Sequence, residues 1–276
     1  MNRTLGLWGW SRWLKGWFAL PLWGADVGAF SALAHTWKAT GKAPMLREVV
    51  KRDDALKQDE RPVTWRDFGA GCPPGGSPRV SEVRQLAGSA SSDQRKGRWL
   101  MSVVHTVAAQ TGRDVRILEL GTCLGSGSDY LASGALAGST YHGLEGSKVL
   151  ADFTLNRLER HRARGVHVAV DVGPFSHTLP VLVGAANRFD VVFLDGCHEG
   201  AALLEQWRDI QPLLAEGGMV IVDDIRWSRD MFQAWKALTS AEGITGIDLF
   251  RMGVVTASDA VGNPKGNLRV TWGQRA

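Results

Sequence analysis

The sequence predicts an α/β protein with a doubly wound, mostly parallel sheet and an N-terminal helical segment. Three observations carry this. Apolar, β-rich runs recur at 115–120, 140–145, 166–171, 190–195 and 218–223, each ending at a glycine or an acidic residue. Stretches of helical spacing at about 127–136, 148–163, 177–185 and 199–215 separate them, and strands alternating with helices build parallel sheets. Finally, 244–249 and 253–257 lie too close together for a crossover, so they pair antiparallel and finish the sheet.

The 276 residues suffice for one large domain with appendages. A net charge of +4 is spread without a block of like charge, so no nucleic-acid partner is expected. Cys72, Cys123 and Cys197 include no C-x-x-C pair. That argues against a disulfide scaffold or a structural zinc site and fits a reducing cytoplasm.

Six of the twelve tryptophans (Trp8, Trp10, Trp13, Trp17, Trp23 and Trp37) fall in the first 37 residues. Trp10, Trp13, Trp17 and Leu20 follow helical spacing up to Pro21. Asp26 can cap a second helix with Phe30, Leu33 and Trp37 on one face, stopped by Gly41. Pro21 and Asp26 interrupt the apolar run and disfavour both a cleaved signal and a membrane span. The stripe reads as a helical cover packed on the main domain; the alternative is peripheral membrane contact through residues 1–38. Residues 41–63 lack periodicity and read as a linker, and Asp67 to Pro78 is a glycine- and proline-rich loop. Ser81 to about Thr111 reads as one or two helices. The expected organisation is a tryptophan-rich segment (1–40), a linker with its loop (41–79) and the main domain (80–276).

In a doubly wound sheet, ligands bind beyond the carboxyl ends of the strands at the switch point. After the first predicted strand come Glu119, Gly121, Thr122, Gly125 and Ser126. Glycine lets the backbone approach a ligand, and a helix N-terminus favours a carboxylate. The second strand ends at Glu145, followed by Gly146, the place for a carboxylate that grips ribose hydroxyls. The third ends at Asp171, with Phe175 close behind to meet an adenine. An NAD turn would need a second glycine where Cys123 stands, which disfavours that cofactor. The fourth strand ends at Asp195 and the fifth at Asp223 and Asp224, on one rim. Three oxygen donors there suit Mg2+ or another hard divalent cation. His198 follows Asp195 closely and titrates near neutrality when unperturbed, as a general base must.

Glu119-Leu-Gly-Thr-Cys-Leu-Gly125, Phe189-Asp-Val-Val-Phe-Leu-Asp-Gly-Cys-His198 and Gly217-Gly-Met-Val-Ile-Val-Asp-Asp-Ile225 resemble the class I small-molecule O-methyltransferases, in particular the catechol-type and metal-dependent sugar enzymes. The resemblance covers about 113–257; the first hundred residues have no counterpart in catechol O-methyltransferase. The Asp-Phe-Gly-Ala-Gly loop and the Asp-Asp-Ile-x-Trp-Ser stretch also resemble an uncharacterised bacterial methyltransferase group. The resemblance implies a seven-stranded Rossmann-like sheet with an antiparallel final strand. It implies S-adenosyl-L-methionine (SAM) held by Glu119, Gly121, Thr122, Gly125, Ser126, Glu145, Gly146, Asp171, Phe175 and Asp195. A metal would sit on Asp195, Asp223 and Asp224, the last commonly asparagine in that family. His198, with Asp195, would be catalytic, and Trp227, Ser228 and Met231 would line the pocket of a small-molecule hydroxyl acceptor. The family's G-x-S after the motif glycine is replaced here by Gly125-Ser126-Gly127-Ser128. Two alternatives stand beside this reading: metal-independent N- or O-methylation, and a non-catalytic SAM-binding subunit docking a partner or membrane through its tryptophans. A homodimer is compatible with the sequence, which does not fix the oligomeric state.

Overall fold

Helix α1 (Val27–Thr40) ends at a turn, and α2 (Pro44–Leu56) follows with a proline in its first turn. A proline there gives up no helical hydrogen bond. The computed structural model describes residues 27–69, 71–73, 75–185, 187–257 and 268–269. The predicted helix over Trp10–Leu20 and the Asp26 cap lie outside them. Strands β1 (Pro62–Asp67) and β2 (Ser77–Glu82) form a separate antiparallel hairpin, and α3 (Val83–Ala90) starts from a capping box made by Glu82 and Gln85. Then come α4 (Gln94–Thr111), β3 (Arg116–Leu120), α5 (Ser126–Ser133), β4 (Thr140–Glu145), α6 (Lys148–Arg162), β5 (His167–Val172) and α7 (Phe175–Gly184). The chain continues through β6 (Phe189–Leu194), α8 (Gly200–Ile210), β7 (Leu214–Val222), α9 (Arg229–Thr239), β8 (Ile244–Asp248), β9 (Gly253–Ala257) and β10 (Leu268–Arg269).

The main sheet runs β10-β8-β9-β7-β6-β3-β4-β5. Strands β7, β6, β3, β4 and β5 are parallel, and β9 lies antiparallel between β7 and β8. The predicted doubly wound sheet with an antiparallel closing strand is what forms, and β10 adds two paired residues at its edge. Strand order reverses between β3, whose chain continues to β4, and β6 on its other side. Ligand sites of this architecture belong beyond that reversal.

Alternation along β3 sorts its side chains to two cores. Ile117 joins one with Trp99, Leu100 and Val104 of α4, Tyr130 of α5 and Leu158 of α6; Leu118 and Leu120 join the other with Leu179, Trp207 and Trp235. All six residues of β6 are buried, as a central strand covered on both faces requires. Each large apolar side chain so enclosed contributes roughly 1.5–3 kcal/mol. No helix among the described residues is long and apolar enough to cross a membrane.

The expected linker over 41–63 is different in structure: it contains α2 and the start of the hairpin. Helix α2 buries Leu46, Val49 and Asp53, a narrow stripe at helical spacing hidden in the sequence by its charged neighbours. Those neighbours include functional packing partners. Arg157 reaches both Asp53 and Asp129, while Arg160, His161 and Arg52 also converge on the fully buried Asp129. The cluster ties α2 and α6 to α5, the helix that follows the first strand's turn.

Candidate active site

Backbone pairing sets the rim. Leu120 pairs with Leu194, and Leu194 with Val222, so the residues just past them stand side by side. The Gly121 N–H donates to the Leu144 carbonyl (2.9 Å), that of Asp195 to Leu120 (2.9 Å) and that of Asp223 to Leu194 (3.0 Å). Gly121 has φ +90°, and a Cβ there would meet Gly196 Cα at 2.7 Å. Both features exclude a side chain and leave a backbone cradle. The cleft above it is lined by Gly121, Thr122, Cys123, Leu124, Ser126 and Gly127 on one side and by Asp195, His198, Asp223 and Asp224 on the other. Cys123 (φ 48°) and Asp224 (φ 45°) take left-handed conformations that non-glycine residues rarely adopt. Such strain persists where the surroundings enforce it, here at the cleft edge.

The acidic rim is not arranged as three equal ligands. Ligand atoms of Asp195, His198 and Asp223 all lie within 4.8 Å of one another. Asp224 stands outside that group, its carboxylate 3.7 Å from Arg251. His198 Nε2 is 3.7 Å from Asp195 Oδ1, and its ring packs on Trp227 at 5.5 Å. Between the half-buried Asp195 and the buried Asp223 sits Lys96, whose ammonium donates to Asp195 Oδ2 (3.1 Å) and Asp223 Oδ2. Burial and the charge of Asp223 push the Asp195 carboxyl well above the usual range. Burial acts the same way on Asp223, but Lys96 outweighs it and holds that group low. Asp223 Oδ1 is buried without a hydrogen-bond partner among the described residues. An orphaned carboxylate oxygen beside a second carboxylate and an imidazole fits a divalent cation.

The remaining nominated residues divide. Glu119 is 1% exposed, accepts from Tyr141 and lines the cleft; burial raises its carboxyl to about 7. Glu145 lies at the end of β4, but its oxygens accept from the backbone N–H groups of Cys123 (2.8 Å) and Ser147 (2.9 Å). It thereby fastens the glycine turn to the second strand. The Ser126 hydroxyl points to Asp53 (2.9 Å). Gly146 lies under the ring of Phe68, from the loop after β1, and the Phe175 ring covers Gly196. Gly125, Glu145, Gly146, Asp171 and Phe175 are not brought to the cleft lining; Asp171 pairs with His142 at 2.8 Å, one residue before the end of β5.

Residues 118–225 match the family model of a methyltransferase domain. The match runs from the Glu119 turn to Asp224, from one wall of the cleft to the other. By that similarity, this segment is a methyltransferase domain. The chain's fold is similar to solved structures of low sequence identity. An O-methyltransferase from Bacillus cereus in complex with SAH has a TM-score of 0.54 at 16% identity, over 79% of this chain and 92% of that one. Cofactor-bound Rv0187 from MTB gives 0.54 at 20%, over 87% and 100%. TomG from Streptomyces achromogenes, an O-methyltransferase involved in tomaymycin synthesis, solved with SAM, gives 0.52 at 18%, over 61% and 82%. No curated protein matches the chain in sequence.

Two cleft residues lie away from the strand ends. Lys96 and Arg251 both line it, yet neither ends a parallel strand. Asp93 links them: it caps α4 by accepting from the Lys96 N–H (2.8 Å) and accepts from Arg251 (2.6 Å). A lysine in the first turn of a helix opposes the macrodipole, and that local misfit is the signal the sequence held. Helix α4 comes close enough because Gly97 has no side chain: a Cβ there would lie 2.3 Å from the Tyr130 ring.

Proposed function

We propose that this methyltransferase moves the methyl group of SAM to a hydroxyl of a small-molecule acceptor, assisted by a divalent cation on its carboxylate rim. The observation that carries the reading is the Asp195–His198–Asp223 group, which opens onto the same cleft as the Gly121 cradle. The similar structures described as O-methyltransferases support the same acceptor chemistry. SAM brings an electrophilic methyl on a sulfonium, which needs an electron-rich oxygen in line with it. In this reading Gly121, Thr122, Gly125 and Ser126 receive the methionine end, with Glu119 beneath. Glu145, Gly146, Phe175 and Asp195 border the nucleoside end, and Asp171 is set back behind His142. A divalent cation on Asp195 and Asp223, with Asp224 at its margin, lowers the pKa of an acceptor hydroxyl.

His198 takes the proton in this scheme. Asp195 orients the imidazole from 3.7 Å and Trp227 supports its face. Trp227 is half-exposed, so its free surface forms an apolar wall beside the base. The setting proposed for this work is the cytoplasm, which free cysteines suit. Neither a nucleic-acid partner nor membrane contact through residues 1–38 is part of it, and it requires no dimer. Trp37 supports the cover role of the N-terminal stripe, since it stacks on Trp99 at 5.2 Å under the guanidinium of Arg98.

The experiment is methyl-labelled SAM with a panel of small phenols, sugars and amines, before and after exhaustive chelation. Label on a hydroxylated compound, lost on chelation and restored by a divalent ion, is the expected result. Transfer to amines alone contradicts the acceptor, and undiminished transfer after chelation contradicts the ion.

A further inference from the structure

Lys96 raises a question that the rim's acidity alone does not. Its side chain is 8% exposed, lies 5.4 Å over the Phe193 ring and is fixed at both ends. The capped first turn of α4 holds its backbone, and Asp195 and Asp223 hold its ammonium. It takes one oxygen from each carboxylate, Oδ2 in both cases. What remains for another cation is Asp195 Oδ1, facing His198, and the orphaned Asp223 Oδ1. An ion bound to those oxygens would stand only a few ångström from a buried positive charge. In a poorly solvated site, that repulsion is much stronger than at a surface.

We propose that the Lys96 ammonium competes with divalent ions for Asp195 and Asp223, so that the native rim binds such ions weakly and neutralising Lys96 converts it into a tight site. This rests on the reading of the rim as a cation site. Lys96 is a positioning residue here, because it touches the two carboxylates rather than the reacting atoms. With Lys96 in place, each carboxylate keeps one neutralised oxygen and presents the other to the cleft. With a neutral side chain, the carboxylates of Asp195 and Asp223 face each other and an incoming ion meets no opposing charge from position 96.

The test is a calorimetric Mn2+ titration of the native chain, Lys96→Gln and Lys96→Arg, with circular dichroism as the check of folding. Lys96→Gln is expected to bind Mn2+ at least about tenfold more tightly than the native chain, and Lys96→Arg to bind as weakly as the native chain. Equal or weaker binding by Lys96→Gln, with native binding intact, overturns the proposal and leaves the ion reading standing. Binding by neither chain overturns both. Binding by Lys96→Gln alone supports the proposal and removes the ion from the native reaction. Should Lys96→Gln fold only when Mn2+ is supplied, the proposal is supported; failure to fold even then overturns it.

Discussion

Glu119 shows how one buried side chain in this cleft couples protonation to stability. Burial lifts its carboxyl from 4.5 to about 7, against the opposing pull of Ser128, Tyr141 and Lys96. Between those two pH values the folded protein keeps a proton that the unfolded chain has released. Stability from this group is therefore full below pH 4.5 and falls as pH rises through about 7. The loss is on the order of 3 kcal/mol. Glu119→Gln cannot ionise, so denaturant unfolding at pH 5 and pH 8 should show a smaller fall in the variant than in the native chain. An equal fall in both places the titration elsewhere. Glu119 was legible in sequence as a strand-end acid, as were Asp195 and Asp223, because period and strand end locate them. Lys96 was not. A cation in a first helical turn was a visible misfit, but its reach to the rim depends on Gly97 meeting the Tyr130 ring, a contact between helices that no local pattern records. Asp171 marks the other limit: β5 runs one residue further than its apolar pattern. A strand's side chains alternate between faces, so locating its end to within a residue decides where each points.

At the scale of elements, α2 matters more than its polar sequence suggests. Its Arg52 and Asp53, with Arg157, Arg160 and His161 of α6, enclose Asp129 on α5. Burial opposes ionisation of Asp129, yet the His161 hydrogen bond and the arginines bring its pKa down to about 2. Removing that charge leaves Arg52 and Arg160 without their carboxylate, while Arg157 keeps Asp53. Asp129→Asn should cost roughly 3–5 kcal/mol of unfolding free energy, measured by urea denaturation; a loss below about 1 kcal/mol would show the network to be incidental. The Ser126 hydroxyl belongs to this network through Asp53, so the helix after the glycine turn is braced from behind. The β1–β2 hairpin braces the front: Phe68 covers Gly146, the Ser147 hydroxyl accepts from the Arg66 N–H at 3.3 Å, and the Gly71 N–H donates to Glu199 at 2.9 Å. The sequence showed the loop as glycine- and proline-rich, but its contacts with Gly146 and Glu199 depend on partners far along the chain.

For the molecule as a whole, the alternation of strands and helices was enough to obtain the doubly wound sheet and its antiparallel closure. Those features follow from short-range periodicity and from the length a crossover needs. What surrounds the sheet was harder, since α2 and the hairpin are amphipathic on narrow faces and bury few residues each. In the proposed function, the cleft between Gly121 and the carboxylate rim receives the nucleoside cofactor. Calorimetric titration with SAH tests it without knowledge of the acceptor. The native chain should bind SAH at one site per chain, and Gly121→Val should not bind, because a side chain at φ +90° would collide with Gly196. A native chain that takes up no SAH, or a folded Gly121→Val that binds it equally well, would contradict the claim.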